Sequence, residues 1–115
     1  MIKIIKKPIK RQEIVAMAKN QFGDLIKIVV DIKSQIMAVG GEVHAEEEAL
    51  LVEKENSQRE HTWGINLWPE KPREDWVEFD SVINLKPYFN NRSRGVKNPE
   101  IREIIKKIID KLILD

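Results

Sequence analysis

Leu25-Ile26-Lys27-Ile28-Val29-Val30-Asp31-Ile32, followed after Lys33-Ser34-Gln35 by Ile36-Met37-Ala38-Val39, is the passage whose reading decides the fold. Two β-branched runs around a short polar turn predict a hairpin. Gly40-Gly41 ends its second strand. On the N-terminal side, Ile14, Ala18 and Phe22 recur at helical spacing, with Val15 and Met17 widening the stripe. They predict a helix over 10–22 with Gly23 at the position just past its end. Ile2 to Ile5, bounded by Pro8, reads as an edge strand whose lysines discourage further pairing.

Beyond the hairpin, Glu42 to Val52 mixes two signals. Ala and Glu favour a helical turn, whereas Leu50-Leu51-Val52 reads as the start of a strand reaching about Lys54. Asn56-Ser57-Gln58 is a turn, and His61 to Leu67 is the expected partner strand. Trp68-Pro69-Glu70-Lys71-Pro72 is a loop, because two close prolines exclude regular structure. Trp76 to Leu85 predicts the last strand, with Val77, Phe79, Ser81, Ile83 and Leu85 on one face and Pro87 as its stop.

The closing segment carries the clearest helix. Asn98 caps it, Pro99 suits its first position and Glu100 complements its dipole. Ile101, Ile104, Ile105, Ile108, Ile109 and Leu112 form one amphipathic stripe. Burying each such side chain contributes roughly 1.5–3 kcal/mol, so this helix must pack on a sheet face. The expected architecture is α+β: an antiparallel meander of about five to six strands. The N-terminal helix and the long C-terminal helix pack on one face, in a single domain over 1–115.

The 115 residues are 42% hydrophobic and 34% charged, with a formal net charge of +1. That balance excludes disorder driven by net charge and nucleic-acid binding through bulk charge alone. With no cysteine, disulfide frameworks, thiolate metal sites and cysteine nucleophiles are excluded. Apolar runs are too short to span a membrane, and the Lys-Ile alternation at the N-terminus lacks a signal-peptide core, so a cytoplasmic location without membrane partners is expected. No phosphate-loop or nucleophile-elbow motif is present.

Several pieces together resemble a small prokaryotic family of uncharacterised proteins, a domain of unknown function. They are Val29-Val30-Asp31-Ile32, Met37-Ala38-Val39-Gly40-Gly41-Glu42-Val43-His44-Ala45, and Trp63-Gly64-Ile65-Asn66-Leu67 with Pro69. Phe79-Asp80-Ser81-Val82-Ile83-Asn84, Asn91-Arg92-Ser93-Arg94 and Asn98-Pro99-Glu100-Ile101-Arg102 complete the set. The resemblance brings no activity and no assigned catalytic residue.

Four constellations could carry chemistry. Asn91, Arg92, Ser93 and Arg94 form a donor-rich loop before a helix, able to hold a phosphate or carboxylate through two guanidinium forks. The plainer alternative pairs these arginines with Asp80, Glu42 or the Glu46–Glu48 run. Glu42, His44, Glu46, Glu47, Glu48, His61 and Asp80 form an acidic-histidine group without a recognised metal spacing, so neither a metal nor a cofactor is expected. Trp63, Trp68 and Trp76 could stack bases but are more readily core. Asn66 and Asn84 interrupt apolar strands and need partners if buried; they could hold Gly40-Gly41 or the Arg92 loop. The basic N-terminus, Lys3 to Arg11, reads as edge protection.

The leading functional reading is a binding domain whose partner is an anionic ligand or RNA at Arg92 and Arg94. A second reading is a small hydrolase or toxin-like nuclease using Glu42, His44 and Asp80 with the two arginines. A third is a structural homo-oligomer. Whether the chain is an enzyme at all stays open.

Overall fold

A computed structural model describes residues 1–115. The strands are β1 (Lys3–Ile5), β2 (Ile9–Lys10), β3 (Ile26–Asp31), β4 (Ile36–Val39), β5 (Thr62–Leu67), β6 (Val77–Glu78) and β7 (Ile113–Leu114). The helices are α1 (Arg11–Lys19), α2 (His44–Glu55) and α3 (Pro99–Leu112). Five strands form one antiparallel sheet in the order β1-β4-β3-β5-β6, while β2 and β7 pair in parallel and tie the start of α1 to the end of α3. The expected α+β sheet with its first and last helices on one face is present.

The period of two along each strand assigns side chains to the two faces. Ile26, Ile28 and Val30 of β3, Met37 and Val39 of β4, and Trp63, Ile65 and Leu67 of β5 share one cluster with Ile14 and Ala18 of α1 and Ile105, Ile108, Ile109 and Leu112 of α3. Asn98 accepts a hydrogen bond from the Glu100 amide at 2.9 Å and Pro99 opens α3, as their positions predict. The stripe of α1 is shorter than expected, for the helix stops at Lys19 and Phe22 is exposed. Gly23, at φ +91°, returns its amide to the Ala18 carbonyl at 2.7 Å.

Two elements depart from expectation. The segment predicted to become a strand at Leu50–Lys54 lies inside α2, which covers the opposite sheet face. Its buried residues are His44, Glu47, Glu48 and Leu51, spaced three and four apart, so the stripe is helical in period but mostly polar. Hydrophobic periodicity is blind to such a stripe. Accordingly β5 pairs with β3 and β6, not with residues 50–54.

The strand expected over Trp76–Leu85 is confined to Val77–Glu78. Beyond it Ser81 Oγ accepts the Ile83 amide at 3.3 Å, and the Ser81 carbonyl accepts the Asn84 amide, closing a 3-10 turn over Val82–Asn84. A serine bonding its own backbone neighbours competes with ladder pairing. The chain therefore leaves the sheet edge and crosses toward α2.

Candidate functional site

On the α2 face the sheet presents Lys27, Val29 and Asp31 from β3 and Thr62, Gly64 and Asn66 from β5. Only Val29, Ile36, Ala38 and Leu51 form a buried apolar cluster there. Polar groups hold the rest. Asp31 accepts the Lys33 and Ser34 amides at 2.9 and 3.1 Å and the Ser57 hydroxyl at 2.6 Å, fixing the hairpin turn to the end of α2. The His44 Nε2–H donates to the Ile65 carbonyl at 2.7 Å. Desolvation lowers the His44 pKa, outweighing that hydrogen bond, so the imidazole is neutral with Nδ1 left as the acceptor.

Asn84 takes the place of the strand that β6 does not continue. Its Oδ1 accepts the Gly64 amide at 2.8 Å, and its Nδ2 donates to the Gly64 carbonyl and the Arg94 carbonyl, both at 2.9 Å. One side-chain amide thus copies the donor–acceptor pair of a ladder partner. A Cβ on Gly64 would stand 2.6 Å from the Cβ and Oγ of Ser81 and 3.1 Å from His44 Cδ2, so only glycine lets both lie against β5.

The Asn91–Arg94 loop is built inward. Asn91 is buried; its Nδ2 donates to the carbonyls of Asn84 and Gly95, both at 2.7 Å, and its Oδ1 accepts the Lys97 amide at 2.9 Å. Ser93 Oγ accepts the Gly95 amide at 3.2 Å. Arg92 and Arg94 are both exposed, and Arg94 Nε donates to Asp80 Oδ1 at 2.6 Å. Of the two asparagines that interrupt strands, Asn84 holds this loop. Asn66 instead donates to Glu78 Oε1 at 3.0 Å, and neither holds Gly40-Gly41.

Between this loop and the start of α2 lies a hollow of about 230 Å³, lined by Lys27, His44, Ser81 and Arg94 with Val43 and Ile83 among its apolar walls. It brings together His44 and Arg94, with Asp80 at its rim through the ion pair; Glu42 and Arg92 stand outside its lining. The acidic residues disperse around it. Glu47 accepts the Gly41 amide at 2.9 Å, Glu48 accepts the Thr62 hydroxyl at 2.6 Å, and His61 faces Glu60 at 3.7 Å. No three His, Asp or Glu side chains gather into a ligand set. Trp63 and Trp76 are buried in the core, and the guanidiniums of Arg11 and Arg73 lie against the Trp76 ring, their Cζ atoms 4.7 and 4.6 Å from its centroid.

Sequence reasoning missed Lys27 and gave Ser81 no part in anion binding. A signal for Lys27 existed. A central strand as continuously β-branched as Ile26–Val30 is one buried on both faces, so its lysine must point into a covered site.

Fold and site together define an α+β protein with one apolar sheet face and one hydrogen-bonded face that opens into a small cationic hollow. The chain belongs to the family described as protein of unknown function (DUF5674), whose model matches residues 3–112. No curated protein and no solved structure matches the chain.

Proposed function

We propose that the protein binds an anionic group, a phosphate or carboxylate, in the hollow at the start of α2. The observation that carries this reading is the placement of Lys27 and Arg94 around the first residues of a twelve-residue helix that no side chain caps. Uncapped amides and the helix dipole favour an anion, and two cations with a hydroxyl add charge-assisted bonds. The neutral Nδ1 of His44 suits a ligand that brings a proton, such as a hydrogen phosphate. Asp80 competes for Arg94, so ligand binding exchanges one carboxylate for another anion. Free phosphate and the backbone of a short RNA share this chemistry. A cytoplasmic location belongs to the same proposal and is supported by composition.

The hydrolase or nuclease alternative draws less support. Glu42 is outside the hollow, Asp80 is ion-paired, and the Ser81 hydroxyl accepts the Ile83 amide. That leaves His44 without a carboxylate partner for acid–base work.

The test is calorimetric titration with inorganic phosphate at constant ionic strength, followed by a short RNA. Saturable binding is expected. Arg94→Gln and Lys27→Gln should each weaken it about tenfold, a loss of about 1.4 kcal/mol. Asp80→Asn should tighten it by freeing Arg94. No heat with either probe, or equal affinity in all four proteins, would sink the reading.

A further inference from the structure

A second hollow, of about 310 Å³, lies on the other side of residues 82–85 and shares only Ile83 with the first. Its polar floor is Glu48, Arg59 and Lys86; its rim is Leu85, Pro87, Tyr88 and Phe89. Lys86 is 8% exposed, yet its one ion pair, to Glu48 Oε2, is 3.8 Å long, beyond hydrogen-bond reach. Arg59 Nε stands 3.6 Å from Glu48 Oε1. The oxygen nearest Lys86 is already engaged, since Glu48 Oε2 takes the Thr62 hydroxyl at 2.6 Å, while Arg59 faces Oε1. Two cations therefore face one carboxylate, and the Lys86 ammonium, at the end of a side chain only 7% exposed, opens into the hollow without a hydrogen-bond acceptor from the protein.

A cation with little water around it and no acceptor from the protein gains from a ligand that supplies one. Lys86 is held in place by its main chain and by its packing. Its backbone is held in a bridge with Asn91, N–H to carbonyl at 2.7 and 3.1 Å in the two directions, and its Nζ lies 5.2 Å from the Trp63 ring centroid. Burial also lowers the Lys86 pKa, against the pull of Glu48. Above this floor the rim is unusually apolar for a surface: Tyr88 is 96% exposed and Phe89 52%. A net positive floor beneath an aromatic rim is complementary to an anion carrying a flat apolar body.

We propose that this hollow is a second ligand site, which takes an organic anion with a flat apolar body, an aromatic carboxylate being the minimal case. The carboxylate supplies an acceptor to Lys86 and a counter-charge to Arg59, and the ring lies against Tyr88 and Phe89. The site rests on residues separate from those that carry the phosphate reading.

Titration with benzoate, followed through the backbone amide signals of residues 85–91 by NMR, tests it. Saturable shifts are expected with a Kd of about 1–10 mM. Benzamide, the neutral isostere, and acetate, which lacks the ring, should each bind at least about fivefold more weakly, about 1 kcal/mol. Lys86→Met should abolish the shifts. Tyr88→Ala, which removes a side chain almost wholly in solvent, should weaken binding by a similar factor without touching the fold. Arg94→Gln should leave benzoate binding unchanged, so loss of phosphate binding and loss of benzoate binding are separable. Benzamide equal to benzoate, or Tyr88→Ala equal to the native protein, would overturn the proposal. So would shifts that track protein concentration alone, which would mark the rim as a self-association face.

Discussion

The two faces of the central sheet are held by different forces. Beneath α1 and α3 lies a cluster of 18 buried apolar residues, whereas the α2 face has one of only four. The first face is stabilised by non-directional burial, which tolerates small shifts of angle and register. The second depends on hydrogen bonds with defined donors and acceptors, and a misplaced group there leaves a partner unsatisfied. The directional face is also where both hollows lie. A face with fixed polar groups can present unpaired donors to a ligand; a close-packed apolar face cannot.

The sharpest contrast comes from truncating each face in turn. Ile109→Ala, in the fully buried stripe of α3, should cost about 3–4 kcal/mol and lower the midpoint of the whole urea transition. A loss below about 1 kcal/mol would mean that this face is not the main source of stability. Asn84→Ala should cost somewhat less, about 2–3 kcal/mol, by orphaning the Gly64 amide and carbonyl. Its effect should also be local. The Ser81 amide, which donates to the Arg94 carbonyl, and the Lys97 amide should exchange hydrogen faster than global unfolding allows. Uniform exchange across the sheet would erase the proposed difference between the faces.

A third effect depends on pH. Burial pushes the Glu47 pKa up to about 9, against the Gly41 amide bond, from an ordinary value of 4.5. The folded protein therefore keeps a proton that the unfolded chain releases above about pH 4.5. The stability linked to that proton is full below 4.5 and is lost as pH rises toward 9. Glu47→Gln keeps an acceptor for the Gly41 amide and does not titrate. The native protein and the variant should differ by less than about 0.5 kcal/mol near pH 5, with the variant increasingly ahead by pH 8. Melting curves that stay parallel across this range would show that Glu47 is not buried as a neutral acid. A Cβ on Gly41 would lie 2.7 Å from Glu47 Cγ, so the close approach that buries this carboxyl requires the glycine.

The apolar face was legible in advance. Ile26-Lys27-Ile28-Val29-Val30 announces a strand by branching, and Ile101 to Leu112 announces a helix by spacing, because both patterns repeat within a few residues. For the polar face, the sequence supplied names without neighbours. His44, Asp80 and Arg94 were singled out and do meet around one hollow. Asn91 and Ser93 were grouped with them as ligand donors, yet their side chains bond the loop's own backbone. Lys86 drew no notice, because a lysine between Leu85 and Pro87 resembles any surface lysine until its burial is known.

The sequence by itself determined the hairpin, the capped C-terminal helix, the edge strand and the α+β class. These follow from local propensity and from apolar periods of two and 3.6. Only the tertiary structure decided that residues 44–55 form a helix across the second face, that Asn84 stands in for a strand, and that two cationic hollows flank residues 82–85. The decisive hydrogen bonds join His44 to Ile65, Gly64 to Asn84 and Asp31 to Ser57, 20 to 26 residues apart. A polar group chooses its partner by geometry after the chain has folded, and no short-range pattern records that choice.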